Sequence, residues 1–138
     1  MNLIDRHAID YFDPSEFAAF ILALEPIDQA LVELALQALV VNFTLVESKW
    51  VSALPEDVFQ LRLGPTRSNV LKRLNVDIQR QASRPDPLLL RIYFTTVAEK
   101  PLILAAYDKL AAPARIEQKR IIALATSRRR LLDREIDK

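Results

Sequence analysis

The chain has 138 residues, of which 51% are hydrophobic and 27% charged, and its formal net charge is +1. This balance is typical of a globular protein, and the length suits a single domain with a sizeable core. The sequence contains no cysteine and one histidine, His7, which excludes disulfides, thiolate zinc sites and clusters of histidine ligands. We therefore expect one domain spanning residues 1–138, in a reducing compartment and without a metal.

The charge is divided unevenly between the two halves of the chain. Residues 1–61 contain two cations and ten acids, which gives −8, whereas residues 62–138 contain seventeen cations and eight acids, which gives +9. The basic half could form a face for a polyanion, or each half could simply solvate its own surface. The charge pattern alone leaves both interpretations open.

No stretch of the sequence predicts a membrane span or an exported chain. The longest apolar runs, such as residues 34–41, are too short to cross a bilayer, and the N-terminal residues lack a basic segment followed by an apolar run. We expect a cytoplasmic protein with no membrane partner.

The first half of the chain predicts a short edge strand and two helices. Residues 7–12 alternate weakly and lead to Asp13, which can cap a helix that begins with the proline after it. Helical spacing continues to Glu25, where the following proline disfavours further helix. A second apolar stripe predicts a longer helix from residue 27 to about residue 46, with Asp28 largely outside the stripe.

The second half begins with the clearest strand. Residues 49–56 are interpreted as a connection, and residues 57–63 alternate as a strand does. One face of this strand carries Phe59, Leu61 and Leu63, and the other carries Val58, Gln60 and Arg62. The only glycine, Gly64, follows the strand and predicts a turn. The basic segment 64–87 predicts either an amphipathic turn of helix or an extended hairpin arm around residues 70–78, and the pattern does not decide between them.

Two further strands and a helix complete the predicted fold. Residues 88–97 are rich in β-branched and aromatic residues and predict a central strand, and residues 102–107 predict its hairpin partner after the four-residue connection 98–101. After residues 110–113, apolar residues at helical spacing predict a final helix of four or more turns. The fold class is therefore α+β, with two N-terminal helices, a mainly antiparallel sheet of three to five strands, and a C-terminal helix.

Strand parity predicts a shared surface for several polar side chains. Arg62 and Arg91 each interrupt an apolar strand, and Tyr93 has the same parity as Arg91. If the two strands are neighbours, these side chains share the open face of the sheet, and Tyr107 and Lys109 approach them from the last strand. The alternative interpretation is that they are solvated residues on the outer face of a half-buried sheet.

Four motifs follow one another along the chain: Gln60-Leu61-Arg62-Leu63, Leu90-Arg91-Ile92-Tyr93-Phe94, the strand that ends in Tyr107-Asp108-Lys109 with Pro113 after it, and Ala125-Thr126-Ser127-Arg128. In this order they resemble the Glu-Leu-Arg strand, the Arg-apolar-aromatic strand, the strand ending in aromatic-Lys-Lys and the Ala-x-x-Arg closing helix of the RelE/HigB toxins, in the phage-type branch of the RelE/ParE superfamily. The two leading helices match as well, so that the resemblance covers about residues 8–132.

Several features depart from the pattern of that family. Gln60 stands where the family usually has Glu, and Asp108 stands where it has the first Lys of the pair. The basic segment 64–87 is much longer than the usual link between these strands, and the net charge of +1 is low for toxins that are typically basic. These differences bear on catalysis more than on the fold.

The resemblance implies a toxin of a type II toxin–antitoxin system with a RelE-like fold. Such a protein is a ribosome-dependent endoribonuclease, or mRNA interferase, which arrests growth by cleaving messenger RNA. The RNA 2′-hydroxyl is the nucleophile, so the reaction needs neither a metal nor a small-molecule cofactor. The implied partners are a cognate antitoxin, messenger RNA and the ribosome.

The implied roles fall on basic and aromatic residues. Arg62 and Arg91 would stabilise the phosphate and the transition state, Lys109 would support the phosphate or proton transfer, and Tyr107 would stack on a base or act as a general acid or base. RNA binding is assigned to Tyr93, Arg128, Lys72 and Arg73. Arg128 could instead bridge the last helix to the sheet, and its neighbours Arg129 and Arg130 are expected to be solvated or to bind the RNA backbone.

Two other classes of function stay open. The first is a non-enzymatic protein on the same scaffold, either one that inhibits a protein target such as gyrase or a relative that has lost catalysis. The substitutions at Gln60 and Asp108 favour this alternative. The second is an unrelated helical adaptor, for which the resemblance would be accidental.

Overall fold

The computed structural model describes residues 9–41, 50–73, 87–112 and 115–136. Its elements in chain order are β1 (Asp10–Tyr11), α1 (Pro14–Leu22), α2 (Pro26–Val41), β2 (Val51–Leu54), β3 (Val58–Leu63), α3 (Arg67–Arg73), β4 (Leu90–Val97), β5 (Lys100–Asp108) and α4 (Arg115–Ile136). Within these ranges five strands form one sheet in the order β1-β5-β4-β3-β2. β1 runs parallel to β5, and the other neighbours are antiparallel. The predicted α+β class, leading helices, mainly antiparallel sheet and closing helix are confirmed.

The start of the chain folds as its local signals predict. β1 lies at an edge of the sheet, and Asp13 caps α1 by accepting a hydrogen bond from the backbone N–H of Glu16 at 3.0 Å. α1 ends at Leu22, slightly earlier than predicted, and α2 begins at Pro26. The predicted continuation of α2 to residue 46 lies outside the described residues.

Two corrections concern the region around β3. Residues 49–56 were expected to be a connection, but they contain β2, in which Val51 pairs with Leu61. Four residues carry too little pattern to predict a strand, and pairing with β3 decides the conformation. The turn predicted at Gly64 is confirmed, and the structure supplies its reason. A Cβ atom at this position would lie 2.1 Å from the carbonyl oxygen of Leu88, so only glycine allows these two segments of the backbone to approach so closely.

The start of the basic segment 64–87 is helical. α3 packs the side chains of Val70 and Leu71 into the core, which favours the helical alternative, and residues 74–86 lie outside the described part of the chain. Arg67 at the start of α3 contacts Asp28 of α2 through two nitrogen–oxygen distances of 2.6 and 2.8 Å. Asp28 was expected outside the apolar stripe but is only 6% exposed. The bidentate arginine explains this correction, because a buried carboxylate needs a hydrogen-bonded partner.

β4 is central in the sheet, as predicted, and it forms a tight hairpin with β5. The turn consists of Ala98 and Glu99, whose φ angles are 52° and 67°, so the connection has two residues rather than the predicted four. The register between the strands shifts after Tyr93, so that Tyr93 pairs with Ala105 and Phe94 pairs with Ile103. Leu104 is thus the additional residue of a β-bulge on β5.

Helices pack on both faces of the sheet. The face of α1, α2 and α3 is a continuous apolar core that includes Leu61, Ile92 and Phe94. The opposite face packs against α4 through a smaller apolar cluster: Val58, Tyr93, Leu102, Leu104, Ala105, Tyr107, Ile121 and Ala125. The prediction that this second face is open is therefore wrong over the area that α4 covers. In the described ranges no helix has both the length and the apolar character needed to cross a membrane.

Candidate functional site

Three polar side chains stand side by side across the middle of the sheet. Arg62 on β3 pairs directly with Arg91 on β4, and Arg91 pairs with Tyr107 on β5. Since paired residues point to the same face, these three form one row, which we call the arginine–tyrosine row. The prediction that Arg62 and Arg91 lie close together on one face is confirmed. Lys109 follows two residues after Tyr107, and its backbone N–H donates to the Leu89 carbonyl at 2.8 Å.

Burial increases steadily along the row because α4 covers one end of it. Arg62 is exposed and Arg91 is half-buried, whereas Tyr107 is only 8% exposed. Tyr93, one step along β4 from Arg91 on the same face, is fully buried and stacks on Tyr107 with 6.4 Å between ring centroids. This burial contradicts the predicted role of Tyr93 in direct RNA contact. Tyr93 instead supports Tyr107 from within the cluster beneath α4.

This face also concentrates polar atoms that lack partners. Among the described residues, five buried side-chain atoms make no hydrogen bond, and four of them belong to this face: Gln60 Oε1, Arg91 Nε, Tyr93 Oη and Tyr107 Oη. A buried polar atom without a partner typically costs about 1–3 kcal/mol, and such atoms are rare in folded proteins. They cluster around the arginine–tyrosine row, where no other group of the described residues forms a hydrogen bond with them.

The electrostatics of the row keep both tyrosines protonated. Burial raises the pKa of Tyr93, and Tyr107 adds to this effect while Arg91 opposes it. Burial also raises the pKa of Tyr107, against the opposing guanidinium of Arg91. At neutral pH both phenols are therefore protonated and uncharged, and their hydroxyls are available as hydrogen-bond donors.

Arg91 keeps its charge despite its surroundings. Burial lowers its pKa, the neighbouring Arg62 lowers it further, and Tyr107 and Tyr93 act in the opposite direction. Because the ordinary pKa of a guanidinium lies far above neutrality, Arg91 remains cationic at physiological pH. The row therefore presents two positive charges next to each other, which is an arrangement that an anion stabilises.

Arg128 is held within the fold and lies away from the row. Its guanidinium donates to both carboxylate oxygens of Glu16, at 2.8 and 2.7 Å, and to the carbonyl of Leu104 at 2.7 Å. It also lies over the ring of Phe12, 5.0 Å from the centroid. The alternative interpretation of Arg128, a bridge from the last helix to the sheet, is confirmed. Its assignment to RNA binding is corrected, because the carboxylate of Glu16 already pairs with its charge.

The other predicted RNA contacts are not brought to the row either. Lys72 is exposed on α3, which packs on the opposite face of the sheet, and the side chain of Arg73 lies outside the described residues. Arg129 contacts Asp133 and Arg130 contacts Glu56, so the arginine triplet of α4 is engaged by carboxylates. In the described ranges no group of three or more histidine, cysteine, aspartate or glutamate side chains could hold a metal ion.

Two residues of α4 belong to this site although the sequence did not predict them there. Gln118 and Tyr107 approach the Tyr93 hydroxyl without completing a hydrogen bond, and Glu117 faces Tyr107. No local pattern in the sequence reveals these contacts, since they arise only when the start of α4 packs across β4 and β5.

Comparison of the chain with protein family models, curated proteins and solved structures found no match.

Proposed function

We propose that this chain is a toxin of a type II toxin–antitoxin system that cleaves messenger RNA on the ribosome. The observation that carries the proposal is the arginine–tyrosine row, in which two adjacent guanidinium groups and a protonated phenol lie across three neighbouring strands. Each member of the row lies in one of the motifs that resemble the RelE/HigB toxins: Arg62 in the first, Arg91 in the second and Tyr107 in the third. A cognate antitoxin and the ribosome are the partners that the resemblance implies.

The chemistry proposed for the row is transphosphorylation. The RNA 2′-hydroxyl attacks the adjacent phosphorus and gives its proton to a solvent water molecule, the bond from phosphorus to the 5′-oxygen breaks, and a 2′,3′-cyclic phosphate forms. Arg62 and Arg91 would neutralise the charge that develops on the phosphorane, with Lys109 supporting the phosphate. Tyr107 would give its proton to the leaving 5′-oxygen, because a phenol is protonated at neutral pH, although its raised pKa makes it a weaker acid than a free tyrosine.

One observation favours a second candidate function, a relative that binds without cleaving. The proton of the 2′-hydroxyl must go to a base, and the family's Glu is replaced by Gln60, whose amide cannot accept it. The raised pKa values of Tyr93 and Tyr107 leave no phenolate to take its place at neutral pH. A protein of this second kind would inhibit a protein target such as gyrase, or would be a relative that has lost catalysis.

The experiment compares two arginine substitutions during expression without a partner. Arg91→Ala removes a contact that the sheet holds in place, and we expect a loss of messenger cleavage of about a hundredfold or more. Arg134→Ala is the matched control, because Arg134 is exposed and makes no ion pair with the described residues. Primer extension on ribosome-bound messages measures cleavage, and immunoblotting ensures equal protein levels.

The possible outcomes separate the two functions. Growth arrest with cut messages in the wild type and in Arg134→Ala, but not in Arg91→Ala, supports the proposed toxin. Arrest with intact messages supports a protein-inhibiting relative instead. Equal loss of cleavage in both variants would reject the assigned site.

A further inference from the structure

The cations of α4 fall into two groups that the sequence does not distinguish. Four arginines are engaged by carboxylates: Arg120 by Glu117, Arg128 by Glu16, Arg129 by Asp133 and Arg130 by Glu56. Three further cations, Arg115, Lys119 and Arg134, are exposed and have no acidic partner among the residues that the structure describes. The unpaired positive charge of α4 is therefore concentrated at its first turns, with Arg134 alone at the far end.

The start of α4 lies beside the arginine–tyrosine row. Ile121 packs into the cluster that contains Tyr93 and Tyr107, and Glu117 faces Tyr107. Arg115 and Lys119 are four residues apart, so they lie on one face of the helix with a rise of about 6 Å between them. Both are exposed, so they lie on a part of the helix surface that the sheet does not cover.

Lys109 connects this helix face to the row. It follows two residues after Tyr107, is partly exposed and has no acidic partner among the described residues. Of the neighbouring acids, Glu117 contacts Arg120 at 2.9 Å, whereas Asp108 accepts a backbone hydrogen bond from Leu110 at 2.9 Å and forms no ion pair with the described residues. Along the chain, Lys109 thus lies between Tyr107 of the row and Arg115 of α4, and neither of these two cations has an acidic partner among the described residues.

We propose that Lys109, Arg115 and Lys119 form a basic patch that binds the backbone of single-stranded RNA on one side of the phosphate held by the row. This inference rests on the proposed function and deepens it by naming the path of the strand. Charge complementarity and continuity with the row argue for the occupant, because exposed cations one helical turn apart can contact successive phosphates of one strand. The Arg128–Arg130 triplet takes no part in it.

An anionic membrane surface is the main competing occupant of such a patch. A helix that lies on a membrane needs a broad apolar face beside its cations. Among the described residues, Leu110 and Ile116 are the exposed large apolar side chains next to the patch in sequence, and Leu131 lies near the far end of α4. Two apolar side chains beside the patch do not form a broad apolar face, so the patch fits a nucleic acid better than a lipid surface.

The test measures binding of a fluorescein-labelled, twelve-nucleotide 2′-O-methyl RNA, which cannot be cleaved because its nucleophile is blocked. The double variant Arg115→Ala/Lys119→Ala is compared with Lys100→Ala/Arg134→Ala, which loses the same charge. Lys100 begins β5, at the end opposite Tyr107, and Arg134 lies near the far end of α4; both are exposed. Lys109 is left unchanged because it also belongs to the proposed catalytic group.

We expect the first double variant to bind the RNA at least tenfold more weakly at physiological salt and the control to bind as the wild type does. The slope of log affinity against log salt should fall by about 1.4 in the first variant, since each contact to a single strand contributes about 0.7. Thermal melts followed by circular dichroism should be the same for all three proteins, because these exposed side chains pack against nothing in the core.

Binding to vesicles that contain phosphatidylglycerol is measured in parallel. Three results would overturn the patch: both double variants bind the RNA equally weakly, the wild type does not bind the RNA, or Arg115→Ala/Lys119→Ala loses binding to the vesicles but not to the RNA. The failure of the patch can be told apart from the failure of the proposed function. Cleaved messages in cells together with equal affinities in both variants would reject the patch alone. If only Arg115→Ala/Lys119→Ala binds the RNA more weakly, and the wild-type protein never cleaves messages in cells, the patch is supported and the nuclease is rejected.

Discussion

The two faces of the sheet differ in how their buried polar groups are paired. On the face of α1, α2 and α3, the buried side chains are almost all apolar, and the buried carboxylate of Asp28 is matched by Arg67. On the face of α4, Gln60, Tyr93 and Tyr107 are equally buried, yet each has a polar atom without a partner. The first face contributes most of the stability, whereas the second accepts a loss of stability to keep donors and charges beside one another. The two faces therefore differ in how completely their buried polar atoms are paired.

The largest expected effect is on the first face. Phe94 is fully buried and stacks on Phe59 with 5.5 Å between ring centroids, so Phe94→Ala leaves a cavity. We expect the free energy of unfolding to fall by about 3–5 kcal/mol, as for other aromatic-to-alanine changes in cores. Urea denaturation followed by fluorescence measures it. A loss below about 1 kcal/mol would show that this face is not the main source of stability.

A smaller effect of opposite sign is expected one residue away, on the second face. Tyr93→Phe removes a buried hydroxyl that has no partner and keeps the ring that stacks on Tyr107. Because an unsatisfied group is destabilising, the variant should be as stable as the wild type or more stable by about 1 kcal/mol. The same urea titration decides this. A clear loss of stability would mean that the hydroxyl is satisfied, for example by an ordered water molecule.

The smallest expected effect appears at alkaline pH. The folded protein raises the pKa of Tyr93 and Tyr107 above 10, chiefly through burial, whereas unfolding restores the ordinary value. The resulting stability is fully present below pH 10 and is lost as the pH rises from there through the folded pKa. Tyr93→Phe and Tyr107→Phe should each make the free energy of unfolding fall less steeply above pH 10.

Tyr11 provides the comparison for this titration. Its pKa is also raised, by burial and by Glu33, but it lies on β1 and packs against the apolar core of the first face. Tyr11→Phe should therefore flatten the same limb without altering RNA binding, whereas Tyr107→Phe should change both. Unfolding curves between pH 8 and 11 test this, and parallel curves for wild type and all variants would contradict the raised pKa values.

Periodicity predicted the elements whose local signals and tertiary environment agree. Asp13 and its following proline set the start of α1, and alternation in residues 57–63 set which side chains of β3 share a face. The pairing of Arg62 with Arg91 followed from parity once their strands proved to be neighbours. β2 was not predicted because four residues are too few to show a strand period, and its strand conformation depends on antiparallel pairing with β3.

The site was predicted in part for the same reason. Arg62, Arg91 and Tyr107 share a row because strand geometry alternates side chains in a fixed way. The burial of Tyr93 and the contribution of Gln118 could not be predicted, since they depend on where α4 crosses the sheet. Sequence parity assigns a side chain to a face, but it does not state what packs on that face.

By itself, the sequence determined the order of the main helices and strands, the faces of β3 and β4 and the separation of acidic and basic halves. Only the tertiary structure decided which cations remain available to a partner. Arg128 meets Glu16 across 112 positions of sequence, and Arg130 meets Glu56 across 74. Such pairs neutralise the most conspicuous basic run of the chain and leave the less conspicuous Arg115 and Lys119 free of acidic partners among the described residues. The physical reason is that Coulomb attraction acts over a few ångströms in space, and folding, rather than proximity along the chain, sets those distances.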